Sequence, residues 1–285
     1  MKLPVLKKAD IKKLLPQRKS NSYKGMNGRV LIVGGSTEYF GAPVLSTLAA
    51  YKSGCDLCYT FVPDCNFDVS RSYYPDFIVH KFRGNYLAED AVDDIVEFSK
   101  ICDCLLIGPG LGDRAATLRA IQMIIEKTNI PAVLDASAIQ ILTKIKEVPL
   151  SQPVVITPHY NEFELLTAKD LRNTDDTKKN AILHTIAKDL HINIVLKGPE
   201  DMITSDEGIT FINKTGNPGM TVGGTGDVLA GTIASFIAQG LSPVDACKAG
   251  CYFCGTGGDL LKKEKGYLYM ASEVAEKLPE TISNV

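Results

Sequence analysis

The strongest chemical signal in this 285-residue chain is Gly223-Gly-Thr-Gly-Asp227, which precedes an apolar run with helical periodicity, Val228 to Ala238. A glycine-rich turn that opens a helix directs backbone N–H groups and the positive end of the helix dipole at one point, and this arrangement binds anions. A carboxylate beside an anion is unfavourable unless it accepts a proton, so Asp227 has the character of a general base. The pattern predicts phosphoryl transfer to a hydroxyl. The simpler alternative is a flexible loop before a core helix, in which Asp227 only complements the dipole.

Two further glycine-rich turns follow apolar runs, Gly34-Gly-Ser-Thr-Glu-Tyr-Phe-Gly-Ala-Pro43 and Gly108-Pro-Gly-Leu-Gly112. The first turn has the position of a dinucleotide loop but not the G-x-G-x-x-G spacing, and the chain has no G-x-x-x-x-G-K-[ST], so the Rossmann and P-loop interpretations both fail. The small residues Gly41 and Ala42 would still let a flat ligand approach the backbone. A plain strand-to-helix connection is the alternative for each turn.

Polar groups end two more predicted strands, at Thr157-Pro-His159 and at Lys197-Gly-Pro-Glu-Asp201. His159 is a candidate ligand contact, with a purely structural histidine as the alternative, and we expect Asn161 to cap the helix that follows. Lys197 can neutralise phosphates as a point charge. Asp201 could accept a hydrogen bond from ribose or adenine, or simply begin a hairpin.

Cys247, Cys251 and Cys254 have the C-x₃-C-x₂-C spacing with which radical S-adenosylmethionine enzymes hold an iron–sulfur cluster. They lie, however, in a helical pattern that begins near Pro243, where positions i, i+4 and i+7 form one apolar stripe. Free cysteine behaves as a small buried hydrophobe. We therefore expect these cysteines to pack in the core.

Predicted strands and helices alternate from Arg29 onward, as a mostly parallel sheet requires. The predicted strands are Arg29–Val33, Leu57–Val62, Ile78–Phe82, Cys104–Ile107, Ala132–Leu134, Val154–Ile156 and Ile194–Leu196, with a hairpin of Met202–Thr204 and Gly208–Ile212. The predicted helices are Pro43–Lys52, Ala88–Lys100, Ala115–Lys127, Asp176–Leu190 and most of the chain beyond the Gly-Asp turn. The candidate residues follow strands, and open α/β sheets bind ligands at the carboxyl ends of their strands.

The composition is that of an ordinary globular enzyme, and the net charge of -2 implies no broad basic surface for nucleic acid. The chain begins without the apolar core of a signal peptide, and no apolar run reaches bilayer-spanning length. We therefore expect a cytoplasmic protein without disulfides that binds neither nucleic acid nor membranes. No linker or repeat interrupts the chain, so 1–285 is expected to form a single domain, with 1–28 as a basic N-terminal arm.

Taken in order, the motifs resemble those of the NAD(P)H-hydrate dehydratases, a nucleotide-dependent metabolite-repair family. The matching segments, within about residues 20–262, are Lys24-Gly, Gly28-Arg-Val-Leu-Ile-Val-Gly-Gly-Ser36, Gly41-Ala-Pro43, Gly108-Pro-Gly-Leu-Gly112, Thr157-Pro-His159, Lys197-Gly198 and Gly223-Gly-Thr-Gly-Asp227. The resemblance implies a ribokinase-like α/β fold, with a doubly wound, mostly parallel central sheet and helices on both faces. It also implies a lyase that phosphorylates the ring hydroxyl of the S epimer of NADH hydrate or NADPH hydrate. Loss of phosphate then restores NADH or NADPH.

The same resemblance implies roles for individual residues. Asp227 would deprotonate the hydroxyl, while N–H groups of the turn, including those of Gly224 and Gly226, would stabilise the moving phosphoryl group. The hydrate would be contacted by Ala42, Gly110, His159 and Asp227, and the nucleotide by Lys197, Gly198, Pro199, Glu200, Asp201 and Gly226. Mg²⁺ would bridge the phosphates with few protein ligands. A homotetramer and a separate NAD(P)H-hydrate epimerase are further expectations of the resemblance.

Two loops depart from the family pattern. Asp135-Ala-Ser137 stands where many relatives have Asp-Ala-Asp, and Tyr160-Asn161-Glu162 replaces the commoner x-Gly-Glu. The segment Met-Thr-Val-Gly-Gly-Thr-Gly-Asp resembles the corresponding sequence of the prokaryotic branch of the family, which favours ADP over ATP as donor. Two alternative functions stay open at this point: a small-molecule kinase of the same superfamily, and a catalytically silent nucleotide sensor.

Overall fold

The computed structural model describes residues 3–144 and 150–285. The strands are β1 Arg29–Val33, β2 Leu57–Pro63, β3 Ile78–Phe82, β4 Cys104–Ile107, β5 Ala132–Leu134, β6 Val154–Ile156, β7 Ile192–Leu196, β8 Asp201–Thr204 and β9 Thr210–Asn213. They form one sheet in the order β3-β2-β1-β4-β5-β6-β7-β8-β9. The pairs from β3 to β7 are parallel, and the last two strands form the antiparallel hairpin that the sequence predicts. The strand order reverses beside β1, so this is a doubly wound sheet.

Helices cover both faces of the sheet. Their bounds are α1 Lys8–Lys12, α2 Gly41–Lys52, α3 Asp64–Arg71, α4 Val92–Ser99, α5 Ala115–Lys127, α6 Tyr160–Thr167, α7 Asp176–Leu190, α8 Thr225–Ala238, α9 Pro243–Lys265 and α10 Ala271–Ser283. Short 3₁₀ helices occupy Glu89–Ala91, Ala136–Thr143 and Pro218–Thr221. Within the described residues, no helix is long and apolar enough to cross a membrane.

Alternating side chains of the strands divide the core into two layers. On one face, Val30, Ile32 and Leu106 pack in the cluster that contains α2, α8, α9 and α10. On the other face, Leu31 and Ile107 pack in the cluster that contains α4, α5, α6 and α7. Both faces of the parallel strands are therefore buried, which explains why β1 and β4 are continuous apolar runs in the sequence.

Most predicted elements are confirmed, and the differences have local causes. The helix α3 was not predicted, because its sequence Asp-Cys-Asn-Phe-Asp-Val-Ser-Arg is polar and lacks a clear apolar stripe. The prediction that Asn161 caps α6 was wrong: the imidazole of His159 accepts the hydrogen bond from the backbone N–H of Glu162. The N-terminal arm packs on the sheet edge, where residues 4–6 bond to Ile212 and Ile11 is fully buried.

The crossing of α2 and α8 depends on the missing side chain of Gly231. A Cβ atom at Gly231 would lie 2.2 Å from the carbonyl oxygen of Ser46. We expect Gly231→Ala to lower the free energy of unfolding by about 1–3 kcal/mol. The methyl group would overpack the contact with α2, and this cost exceeds the gain in helix propensity of about 1 kcal/mol. Thermal or denaturant unfolding would measure this change in the free energy of unfolding. The control is Gly41→Ala, since a Cβ there meets no heavy atom within 4 Å. A stabilised Gly231→Ala variant would contradict the expectation.

Candidate active site

Two cavities open at the carboxyl end of the parallel strands. The larger cavity, about 710 Å³, lies between the β7–β8 turn, residues 215–226 and α9. The smaller cavity, about 410 Å³, is lined by the turns that follow β1, β4 and β5 and by two residues of α6. The glycine-rich turn at the start of α8 contributes to both cavities. This is the position at which open α/β sheets bind ligands.

The local conformation at the start of α8 requires glycine. Gly224 precedes the first helical residue with a φ of 100°, in the left-handed region that side chains avoid. A Cβ atom there would also lie 2.5 Å from a methyl group of Leu45. The hydroxyl of Thr225 donates to the carbonyl of Met220 at 2.8 Å and so anchors the turn. The first N–H groups of α8 are left free to bind an anion at the edge of the larger cavity.

Asp227 lies between the two cavities. It belongs to the first turn of α8, its side chain lines the smaller cavity, and Gly224 and Gly226 of the same turn line the larger one. Burial raises the pKa of Asp227 to about 7, and the negative charges of Asp135 and Glu162 add to this effect while Lys197 opposes it. A carboxyl group with that pKa can accept a proton from a hydroxyl near neutral pH.

The raised pKa of Asp227 predicts an acid limb in the activity profile. Below about pH 7 the carboxyl group is protonated and cannot act as a base, so kcat/KM should fall as the pH is lowered through this value. Initial rates from pH 5.5 to 9 would measure the limb. A profile that stays flat down to pH 5.5, as expected for an aspartate that titrates in its ordinary range near pH 4, would contradict the assignment.

Lys197 lines the larger cavity and pairs with two carboxylates. Its Nζ atom lies 3.2 Å from Asp135 Oδ1 and 3.8 Å from Glu162 Oε2. Burial opposes the charge on Lys197, but the two carboxylates outweigh it and raise the pKa of the lysine. A Cβ atom on Gly226 would lie 3.3 Å from the same Nζ atom. The ammonium group is therefore held beside the start of α8, where a phosphate would bind.

The wall of the larger cavity is held by two amide–carboxylate pairs. The fully buried Asn213 donates from Nδ2 to Asp201 Oδ2 at 3.1 Å and to the carbonyl of Cys251 at 3.3 Å. Asn217 donates from Nδ2 to Asp259 Oδ1 at 3.0 Å. Burial raises the pKa of Asp201 to about 6. These contacts fix the wall to β8 and α9, and neither asparagine was singled out from the sequence.

Backbone segments of neighbouring turns pack closely against each other in the wall of the smaller cavity. Gly110 has a φ of 69°, and a Cβ atom there would lie 2.9 Å from the carbonyl oxygen of Tyr39 and 3.1 Å from Ala42 Cβ. Ala136, after β5, also lines the cavity and has a φ of 50°, a conformation that is uncommon for alanine. The next residue, Ser137, has a buried Oγ atom with no hydrogen-bond partner within the described residues. Such local strain is typical of functional sites.

The predicted site residues fall into two groups. Ala42, Gly110 and Asp227 line the smaller cavity. The larger cavity is lined by His159, Lys197, Gly198, Pro199, Asp201, Gly224 and Gly226. His159 is thus separated from the other predicted hydrate contacts, and its ring caps α6. Glu200 pairs instead with Lys214 at 2.6 Å, outside the larger cavity's lining.

The three cysteines of the C-x₃-C-x₂-C segment lie in α9 and are at most 2% exposed. Burial raises the pKa of each thiol, which keeps the groups neutral. Cys251 and Cys254 border the larger cavity. In the part of the chain that the structure describes, no group of three or more His, Cys, Asp or Glu side chains could hold a metal ion.

The nine-stranded sheet and the glycine-rich turn of α8 define a ribokinase-like α/β protein. A ribokinase-like superfamily protein from Enterococcus faecalis is similar, with a TM-score of 0.87, 29% identity, and coverage of 99% of this chain and 96% of that chain. The family model for NAD(P)H-hydrate dehydratase matches residues 30–280. The chain belongs to the NAD(P)H-hydrate dehydratase family.

Individual relatives agree with this membership. The ADP-dependent (S)-NAD(P)H-hydrate dehydratase of Cenarchaeum symbiosum is 36% identical over 278 residues, which cover 96% of this chain and 94% of that protein. The ADP/ATP-dependent NAD(P)H-hydrate dehydratase of Bacillus subtilis, co-crystallised with ATP and Mg²⁺, has a TM-score of 0.87 at 27% identity, covering 100% of this chain and 99% of that chain. The chain spans about half the length of the bifunctional NAD(P)H-hydrate repair enzymes that it matches.

Proposed function

We propose that this chain dehydrates the S epimer of NADH hydrate and NADPH hydrate, with ADP as the phosphoryl donor. One observation carries the proposal. The turn that begins α8 lies between the two cavities, since Gly223 to Gly226 line the larger one and Asp227 lines the smaller one. A phosphoryl group bound at the turn and a hydroxyl group bound in the smaller cavity would therefore lie next to each other, with Asp227 as the nearby base.

In the proposed reaction, the nucleotide occupies the larger cavity with contacts from Lys197 to Asp201. The N–H groups of Gly224 and Gly226, together with Lys197, stabilise the charge on the transferred phosphoryl group. Asp227 accepts the proton of the ring hydroxyl as its oxygen forms the new bond to phosphorus and AMP leaves. Phosphate then departs with the electrons of the C–O bond and accepts a proton from the adjacent ring carbon, and the electrons of that C–H bond restore the double bond.

The hydrate, in this proposal, occupies the smaller cavity. Gly110 packs closely against Tyr39 and Ala42 in the wall of that cavity, and Asp227 lines the same space. His159 lies at the larger cavity, so any contact with the hydrate would be made near the transferred group.

Mg²⁺ belongs to the proposal as part of the bound nucleotide. The described carboxylates near the turn, Asp135 and Glu162, are already engaged by Lys197, and they form no set of protein ligands for a metal. This fits an ion that binds mainly to phosphates and water, where it would neutralise phosphate charge. We also propose that the protein is a cytoplasmic homotetramer and that an NAD(P)H-hydrate epimerase supplies the S epimer.

The test is the return of the absorbance of reduced nicotinamide. Purified protein would be mixed with NADH hydrate and Mg²⁺, and either ADP, ATP or no nucleotide would be added. We expect absorbance to rise only with nucleotide, and faster with ADP. Folded protein that gives no rise with either nucleotide would refute the proposal.

A further inference from the structure

A cluster of three side chains lies just outside the smaller cavity. Glu38, Tyr86 and Arg114 come from the segments that follow β1, β3 and β4 respectively, so they converge at the same edge of the sheet as the site. Their sequence neighbours Tyr39 and Asp113 line the cavity itself. The cluster therefore stands where a ligand longer than the cavity would emerge.

The cluster is held together by direct contacts. The guanidinium carbon of Arg114 lies 3.7 Å from the centre of the Tyr86 ring. The hydroxyl of Tyr86 donates to Glu38 Oε1 at 3.1 Å, and the same oxygen lies 3.9 Å from Arg114 Nη2. The guanidinium group is thus positioned over Tyr86, while the Arg114 side chain is still 56% exposed. One side of the group packs on an aromatic ring, and the remainder faces solvent.

We infer that Arg114, supported by Tyr86 and Glu38, forms a subsite for the adenosine half of the dinucleotide substrate. The inference rests on the proposed function, which places the nicotinamide half in the smaller cavity. That cavity, at about 410 Å³, is near the lower end of the range for ligand pockets and suits one half of a dinucleotide. In this inference the second half extends past Tyr39 and Asp113, toward Arg114.

The chemistry of the cluster matches a nucleoside. A planar guanidinium group stacks on aromatic faces, and nucleic-acid bases stack on arginine planes. Adenine on the outer face of Arg114 would complete a three-layer stack with Tyr86. Glu38 could accept a hydrogen bond from a ribose hydroxyl, as acidic residues do in dinucleotide-binding proteins.

The experiment compares two substrates, the hydrate of NADH and the hydrate of reduced nicotinamide mononucleotide, which lacks the adenosine half. We expect Arg114→Ala to raise KM for NADH hydrate about five- to tenfold with kcat little changed, in line with the stacking contribution of one base. The KM for the mononucleotide hydrate should change less than about twofold. Arg114→Lys should resemble Arg114→Ala, because lysine keeps the charge but lacks the planar group.

The matched control is Arg119→Ala. Arg119 is an exposed arginine in α5 that pairs with Glu89 at 2.8 Å and lines neither cavity, so its loss should leave both KM values unchanged. An equal rise for both substrates, no rise for NADH hydrate, or full recovery with Arg114→Lys would each overturn the inference. If the wild-type protein turned over neither hydrate, the proposed function would fail instead. Titration of the wild-type and Arg114→Ala proteins with NADH and with reduced mononucleotide would then apply the same comparison without turnover.

Discussion

Asp227→Asn should lower kcat by about 10²–10⁴-fold, the range expected when a general base is lost. Asparagine has nearly the same shape as aspartate but cannot accept the proton of the ring hydroxyl. Both cavities should survive, because the glycines and Thr225 determine the conformation of the turn. Single-turnover measurement of NADH formation would give the effect on the chemical steps. A loss of less than about tenfold would remove Asp227 from the role of base.

Stability provides the control for this variant. The pKa of Asp227 is raised in the folded protein, so the folded state binds more protons than the unfolded state between about pH 4 and pH 7. Wild-type stability should therefore decrease as the pH rises through that window. The Asp227→Asn protein lacks this titration and should be at least as stable as the wild type at pH 8. An inactive variant that is also unfolded at pH 8 would not support the catalytic assignment.

Lys197→Met should lower kcat/KM by about 10²–10³-fold, comparable to the loss of a group that stabilises charge in the transition state. Two effects combine. The transferred phosphoryl group loses a nearby cation, and the charges of Asp135 and Glu162 are no longer offset beside Asp227. The acid limb of the pH profile should consequently move to higher pH. A loss below tenfold with an unmoved limb would contradict this account.

Removal of Lys197 also leaves Asp135 without its cation, and Asp135 is only 3% exposed. Breaking a buried ion pair costs about 3–5 kcal/mol, so the folded fraction must be measured for the variant. Lys197→Arg keeps the charge and should retain more stability. Lys127→Met is the matched surface control, because it breaks the exposed pair between Lys127 in α5 and Asp93 in α4 and should affect neither activity nor the pH limb.

The sheet was largely predictable because its strands are short, buried and followed by small or functional residues. The strand β1 and the turn Gly34-Gly35 show this pattern clearly. The helix α3 was missed because helical conformation there is stabilised by tertiary packing and not by an apolar stripe. The role of His159 as a helix cap also could not be seen, because histidine is not among the usual capping residues.

The sequence predicts the type of site, but it does not predict how the site residues are divided between two cavities. Sequence spacing singled out Asp227 and Lys197 as candidates, since each stands next to glycines at the end or start of an element. The spacing of residues along the chain could not predict side-chain contacts between segments that are distant in sequence. The pairs Asn213–Asp201 and Arg114–Tyr86 depend on how the sheet brings their loops together. The strand-end position of Asp135 was visible, but its pairing with Lys197 was not.

In the proposed reaction, phosphoryl transfer to the ring hydroxyl and the subsequent loss of phosphate occur in the same site. The most direct test is a product balance with ADP and NADH hydrate, in which NADH, AMP and inorganic phosphate are quantified together. We expect the three products to appear in equal amounts and no phosphorylated nicotinamide product to accumulate. A stable phosphorylated product, or NADH formed without AMP, would contradict it.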